Sequence, residues 1–155
     1  MRQLGRLVAR IHLAGESNEF EHRPSISVES YGYESVDYLL AEGFIPAEMT
    51  AVYEGIVSQV FDAIDDSFEK GDKIRQIRLH GDFHPGNVLV NGDQLHIVDL
   101  DDCRSGPAVQ DLWLLLSGRD DWTLRQRNAF IEGYERFRAF DRNSLRLIEP
   151  LRGMR

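Results

Sequence analysis

The rhythm of apolar positions changes twice along this chain, from helical to strand-like and back. From Met1 to Ala14, Leu4, Leu7, Val8 and Ile11 fall three and four residues apart, which predicts an amphipathic helix with Gly15 as its stop. Residues 15–33 mix Pro24, Gly32, serines and charges, and read as a long ordered loop. Glu34 to Ala41 reads as a short helix. The strongest pattern follows. Val52, Tyr53, Ile56, Val57, Val60, Phe61, Ile64 and Phe68 keep the 3/4 spacing over about five turns, with Gly71 as the stop. The apolar stripe of that helix reads as core.

Between residues 74 and 98 the period shortens. Ile74 to Leu79 alternates as a strand and runs into His80-Gly81-Asp82. Val88-Leu89-Val90 and Leu95-His96-Ile97-Val98 flank Asn91-Gly92-Asp93, and an Asn-Gly pair between two such runs predicts a hairpin. Helical spacing then returns over Ala108–Leu116 and Trp122–Phe137, and a third helix begins at Leu145. Helices around one small hairpin give an α+β protein rather than a βαβ sheet.

Composition narrows the function classes. The 155 residues are 42% hydrophobic and 28% charged, enough for a packed core in one domain or one lobe of a larger one. No apolar run approaches the roughly 18 residues that would span a bilayer. The first residues do not form an apolar leader, and the lone Cys103 rules out an internal disulfide or a cysteine-based zinc cage. A cytoplasmic protein, with no membrane partner, is expected. Eighteen basic residues scattered among 26 acidic ones give a net charge of −8, which argues against nucleic acid as a partner.

Reactive polar groups concentrate where apolar runs end: His80-Gly81-Asp82-Phe83-His84-Pro85-Gly86-Asn87, then Asp99-Leu100-Asp101-Asp102, then Gln110-Asp111. Asp82 and Asn87 lie five apart, and the predicted hairpin returns the chain so that Asp99 lies beside Asn87. Phosphoryl transfer needs such a set. One carboxylate orients the attacking hydroxyl and accepts its proton, while an amide oxygen and a second carboxylate hold Mg²⁺ against the phosphates.

The pattern His-Gly-Asp-x-x-x-x-Asn with a following Asp resembles the catalytic and metal-binding loops of aminoglycoside phosphotransferase-type kinases, within the protein kinase-like superfamily. Together with Val98-Asp99-Leu100-Asp101-Asp102, Gly106-Pro107-Ala108-Val109-Gln110-Asp111-Leu112-Trp113, Gly43-Phe44-Ile45-Pro46 and Ile148-Glu149-Pro150-Leu151-Arg152, it is similar over essentially the whole chain to a bacterial Ser/Thr protein kinase branch of that family, linked to envelope and oxidative stress. The resemblance implies Asp82 as catalytic base and Asn87 with Asp99 as Mg²⁺ ligands. It implies that His84 orders the loop or lies near the transferred phosphate. It makes Asp111 the holder of the catalytic loop through backbone amides, and Leu89 with Val98 the floor under adenine; His80, taken by itself, reads as a loop-ordering structural histidine rather than a general base. ATP and Mg²⁺ are the implied cofactors, and a monomer acting on a protein Ser or Thr hydroxyl is the implied arrangement.

Departures from the pattern shape the expectation further. Asp-Phe-Gly is here Asp99-Leu100-Asp101, and no Ala-Pro-Glu segment appears. Nothing before the catalytic loop offers a Gly-rich phosphate loop, a strand lysine or its glutamate partner. The resemblance therefore makes residues 1–155 a C-terminal lobe short of its last helices, whose partner is the N-lobe of the same polypeptide.

Other readings compete at single positions. Asp82 alone reads as a turn residue, and only the kinase spacing to Asn87 and Asp99 reverses that. Asp101 and Asp102 suit a metal-adjacent role or a solvated acidic turn equally, and Asp111 also fits an ordinary helix cap. His96 reads as incidental. Asp99-x-Asp101 after a strand also opens haloacid-dehalogenase phosphatases, but too few residues follow to build their sheet domain. Gly81-Asp82-x-His84 faintly matches two-metal phosphoesterases, yet His12, His22 and His96 stand in the wrong contexts. Within the kinase fold, a small-molecule alcohol is the alternative acceptor, and a silent lobe acting as a binding module is the non-enzymatic alternative.

Overall fold

A computed structural model describes residues 1–70 and 73–155; the expected stop at Gly71 lies outside the described residues. The first helix, α1, spans Arg2–Gly15, followed by a single π-turn at Glu29–Tyr33 that leads directly into α2, Glu34–Ala41. The long helix α3 covers Ala47–Glu69. Strands β1 (Gln76–Leu79), β2 (Val88–Asn91), β3 (Gln94–Ile97) and β4 (Arg104–Pro107) come next, and α4 (Gln110–Trp113), α5 (Asp121–Tyr134) and α6 (Ile148–Gly153) complete the chain. This is the α+β, helix-rich arrangement expected from the sequence.

Two antiparallel pairs, not one hairpin, carry the loops. β2 and β3 form the expected hairpin, with Val88 opposite Ile97 and Asn91 opposite Gln94. Its two turn residues are Gly92, at φ 58°, and Asp93. Asn91 belongs to the strand, so only Gly92 exploits positive φ. The second pair joins β1 to β4, Ile77 opposite Gly106 and Leu79 opposite Arg104. β4 reads Arg-Ser-Gly-Pro, a composition without strand signal, and its pairing is imposed by the neighbours on either edge. On its other side, the Ile26 amide donates to the Ser105 carbonyl at 2.7 Å and the Ser105 amide donates to Pro24 at 3.1 Å. Part of the expected loop over 15–33 is thus a third rung beside β4.

The core sits where α1 crosses α5 behind β1. Leu4, Val8 and Ala9 of α1 pack with Phe130, Ile131 and Tyr134 of α5 and with Ile77, Leu79, Val109 and Leu112. The crossing is close because each helix presents a glycine there. A Cβ on Gly5 would lie 2.0 Å from the Phe130 carbonyl oxygen, and one on Gly133 would lie 2.0 Å from that of Arg2. α5 begins at an Asp120 cap whose side chain accepts from the Thr123 amide at 2.9 Å, and this bond holds the Asp120 carboxyl below the usual carboxylate range.

Two expectations about helices need correction. The predicted helix over Ala108–Leu116 is regular only from Gln110 to Trp113, with turns on either side. The stripe of α3 is only partly core. Phe61 and Ile64 are buried and Tyr53, Val57 and Phe68 pack against the core, but Val52, Ile56 and Val60 are 62%, 58% and 40% exposed. The apolar positions form two adjoining rows about 100° apart, 52/56/60 and 53/57/61/64/68, and neighbours cover only the second.

Candidate functional site

The expected catalytic loop, residues 80–87, leaves β1 at Leu79 and turns sharply at Gly81, whose φ is 87°. A side chain there would be strained, and its Cβ would sit 2.3 Å from the Asp102 carbonyl oxygen. Glycine at this position is what lets the Asp82 loop and the Asp99–Asp102 loop approach each other. Phe83, fully buried, anchors the loop from beneath, worth about 1.5–3 kcal/mol by area burial. The neighbours of Phe83 in sequence, Asp82 and His84, are only half-buried and reach the surface.

Asp111 ties the loop from the other side. Its Oδ2 accepts from the His80 amide and its Oδ1 from the Gly81 amide, both at 2.9 Å. This is more than an ordinary helix cap, since both amides belong to a segment thirty residues earlier in the chain. Gln110, also fully buried, donates to the Gly81 carbonyl and accepts from the Trp113 indole, each at 2.9 Å. Behind Asp111 stands His12, whose Nε2 lies 2.9 Å from Asp111 Oδ2 and whose Nδ1 lies 2.8 Å from the Tyr134 hydroxyl. Arg138 donates to that hydroxyl oxygen at 2.8 Å. The Tyr134 O–H then has His12 Nδ1 as its acceptor, which leaves Nε2–H to donate to Asp111. Burial pushes the Tyr134 phenol up to about 12.

A second set of bonds joins the catalytic loop to the metal loop. His80 Nε2 donates to the Val98 carbonyl at 2.9 Å, and the Val98 amide donates to the Asn87 carbonyl at 3.1 Å. Asn87, buried, gives its amide N–H to the Asp82 carbonyl at 2.9 Å, so its Oδ1 is left to bind something else. One residue past Val98, Asp99 is exposed and holds φ at 65°, a left-handed conformation that aspartate tolerates better than most side chains. His84 Nδ1 accepts from the Gly86 amide at 3.0 Å, so in the neutral ring Nε2 carries the proton, 3.4 Å from Asp82 Oδ2. Arg23, from the segment between α1 and α2, donates to the carbonyls of Asp101 and Cys103 and pins the far side of the metal loop.

The sequence-predicted residues thus fall into three groups. Asp82, His84 and Asn87 are brought together within one turn, and Asp99 follows Val98, whose amide is bonded to the Asn87 carbonyl. His80 and Asp111 lie beneath as buried struts. Leu89 and His96 are cross-strand partners on one face of the hairpin, at which Val98 continues the alternation, whereas Val88, Leu95 and Ile97 pack inward. Asp101 is exposed, and the Asp102 carboxylate is taken up by Arg104 at 3.3 Å. Burial raises the Cys103 thiol above its ordinary value and outweighs the opposing pull of Arg23, so the thiol is not activated.

Among the described residues no group of three or more His, Cys, Asp or Glu side chains converges as a metal cage. The donor set suits a hard cation that keeps water and phosphate oxygens as ligands: one amide oxygen from Asn87 and one carboxylate from Asp99. Tyr134 and Arg23 were not picked out from the sequence, Gln110 was named only beside Asp111 with no role of its own, and His12 was considered only as a metal ligand and set aside. His12 did leave a signal, since it continues the buried row Leu4–Val8–His12 at four-residue intervals, where a polar side chain needs a partner.

Two loops with the spacing expected of a kinase-type phosphotransferase stand on this α+β base, and comparison with known proteins agrees on the family. Residues 1–148 match the model of the phosphotransferase enzyme family known as APH, and the chain belongs to that family. Over its whole length it is 38% identical to stress response kinase A of Escherichia coli (strain K12) and 37% identical to the serine/threonine protein kinase RdoA of Salmonella typhimurium. It covers 46% of each, so it spans about half the length of these relatives. Among solved structures, amicoumacin kinase hAmiN in complex with AMP-PNP, Ca²⁺ and Ami matches 99% of this chain and 48% of its own, at TM-score 0.70 and 21% identity. A glucosamine kinase matches at TM-score 0.59 over 97% of this chain and 45% of its own, at 22% identity. These similarities establish the fold, a helix-rich kinase-like lobe. No helix among the described residues is long and apolar enough to cross a membrane.

Proposed function

We propose that this chain carries the acceptor and metal half of an ATP-dependent kinase that phosphorylates a Ser or Thr hydroxyl on a protein, in the cytoplasm. The observation that carries the reading is the Asp82 carboxylate held at the rim of a loop whose backbone is anchored from beneath by Asp111, Gln110 and Asn87. In the reaction the acceptor oxygen bonds to the γ-phosphorus, the bond to the β–γ bridging oxygen breaks, ADP departs, and the hydroxyl proton passes to Asp82. Asn87 Oδ1 and Asp99 would hold Mg²⁺, which neutralises charge on the phosphates. Leu89 and Val98 would lie under adenine. The nucleotide-gripping lobe, with its lysine, would come from the rest of the same polypeptide. Stabilisation of transition-state charge depends on that lobe, so residues 1–155 alone should turn over weakly or not at all.

The similarity to the serine/threonine protein kinase RdoA favours a protein acceptor. The amicoumacin and glucosamine kinases, which share the fold, favour the second reading, a small alcohol. Transfer of radiolabelled γ-phosphate by the full-length gene product, offered a generic protein and a panel of small alcohols, separates them. Asp82→Asn should lower turnover by at least about 100-fold while nucleotide binding stays intact. An Asp82→Asn protein that keeps most of its activity would falsify the base assignment.

A further inference from the structure

The loops of this site are short of positive charge. From His80 to Asn87 there is no lysine or arginine, and Asp99-Leu100-Asp101-Asp102 adds three carboxylates. Nearby cations are committed elsewhere: Arg104 to Asp102 and over the Tyr31 ring, Arg23 to main-chain carbonyls. One guanidinium does reach the site. Arg155, just past α6, donates from Nη2 to Asp82 Oδ1 at 2.9 Å, across seventy-three residues of sequence. Among the described residues that carboxylate is the sole partner of the Arg155 side chain, which is 44% exposed against 24% for Asp82.

The two oxygens of Asp82 therefore have different neighbours. Oδ1 takes Arg155, and Oδ2 faces His84 Nε2 at 3.4 Å. The charged hydrogen bond from Arg155 to Oδ1 resists rotation of the carboxylate about its χ2 axis, and Oδ2, with the His84 ring near it but not bonded to it, keeps its lone pairs for an incoming hydroxyl. Arg155 owes its place to packing far from the loop. Ile148 and Leu151 of α6 are buried, α6 lies against α3, and Met154 is buried beside Arg155.

We propose that Arg155 is a positioning residue of the phosphotransfer site: it sets the orientation of the Asp82 carboxylate toward the acceptor hydroxyl and supplies the cation that the catalytic loop lacks. The inference rests on Asp82 being the base. Its effect therefore belongs to the chemical step, with nucleotide binding left as it is.

The test uses the full-length protein with Mg²⁺-ATP and whichever acceptor it labels. Arg155→Ala should lower kcat by about 10- to 100-fold, the scale of a misplaced catalytic group, with KM for ATP changed less than about 2-fold. Arg155→Lys should recover part of that loss, since it restores charge without the planar fork. The melting temperature of both variants should match the parent, because an exposed side chain with one partner contributes little to the fold. In an Asp82→Asn background, Arg155→Ala should cost nothing further. Full kcat in Arg155→Ala, a rise in activity (the mark of a blocking contact), a loss of ATP affinity in step with kcat, or additive losses in the double variant would each overturn the proposal. If Asp82→Asn itself stays active, the base assignment fails first and Arg155 falls with it. An inactive Asp82→Asn beside a fully active Arg155→Ala rejects the positioning role alone.

Discussion

The α1–α5 base beneath the catalytic loop and the free end of α3 are built from similar proportions of apolar residues, yet they differ in how completely each is satisfied. In the base, glycines bring two helices into backbone contact, and a polar line from Arg138 through Tyr134, His12 and Asp111 to the His80 and Gly81 amides is fully buried at its centre. In α3, the row Val52, Ile56, Val60 faces solvent together with Met49, and Phe44 and Tyr38 stand exposed nearby. The lesson concerns cost. A change in the base strands buried groups that cannot find water, whereas a change on the exposed row of α3 alters little beyond local solvation.

The comparison breaks most readily at Asp111. Asp111→Ala leaves two loop amides and His12 Nε2 without their acceptor, each worth about 1–3 kcal/mol, so the protein should lose on the order of 3–5 kcal/mol in urea unfolding. A loss below about 1 kcal/mol would show that the network carries little of the fold.

Tyr134→Phe is the finer probe. It removes the hydroxyl that satisfies His12 Nδ1 and should cost about 1–3 kcal/mol at neutral pH. It should also change the alkaline limb. The folded phenol titrates at about 12 and the unfolded one near 10, so between those values the unfolded state holds fewer protons and stability falls as pH rises. That decline, up to about 1.4 kcal/mol per pH unit from this group, should vanish in the phenylalanine variant. An unchanged alkaline limb would mean that the hydroxyl is not buried in solution.

The smallest effect belongs to α3. Ile56→Gln should shift stability by no more than about 0.5 kcal/mol, as for an ordinary surface position. A loss of 2 kcal/mol or more in the full-length protein would show that this row is covered there and that the contrast between the two regions ends with residues 1–155.

Much of the fold was legible because periodicity reports local geometry directly. α1, α2 and the β2–β3 hairpin fall where Leu4–Ile11, Glu34–Ala41 and Asn91-Gly92 place them. The width of the α3 stripe misled for a definite reason: apolar spacing gives the direction of a face but not whether a neighbour arrives to cover it. β4 escaped notice because Arg-Ser-Gly-Pro is a strand only by virtue of the partners on its two edges. At the site, Asp82, Asn87 and Asp99 were visible through their spacing; the loop bonds Asn87 to Asp82, and the hairpin bonds Val98, the residue before Asp99, to Asn87. His12, Tyr134 and Arg155 were not, since they lie 70, 52 and 73 residues away from Asp82 along the chain.

The order of residues was enough to locate most helical segments and the hairpin, to point to the family, and to gather in one loop the residue types that phosphoryl transfer would need. Only the tertiary structure decided which buried partners hold that loop, which row of α3 is left bare, and that a guanidinium reaches Asp82. The physical reason is range. Backbone propensity, turn chemistry and short spacings act over a few residues and are written in order along the chain, while hydrogen-bond partners of buried groups are chosen by packing, which joins residues with no regard to their separation in sequence.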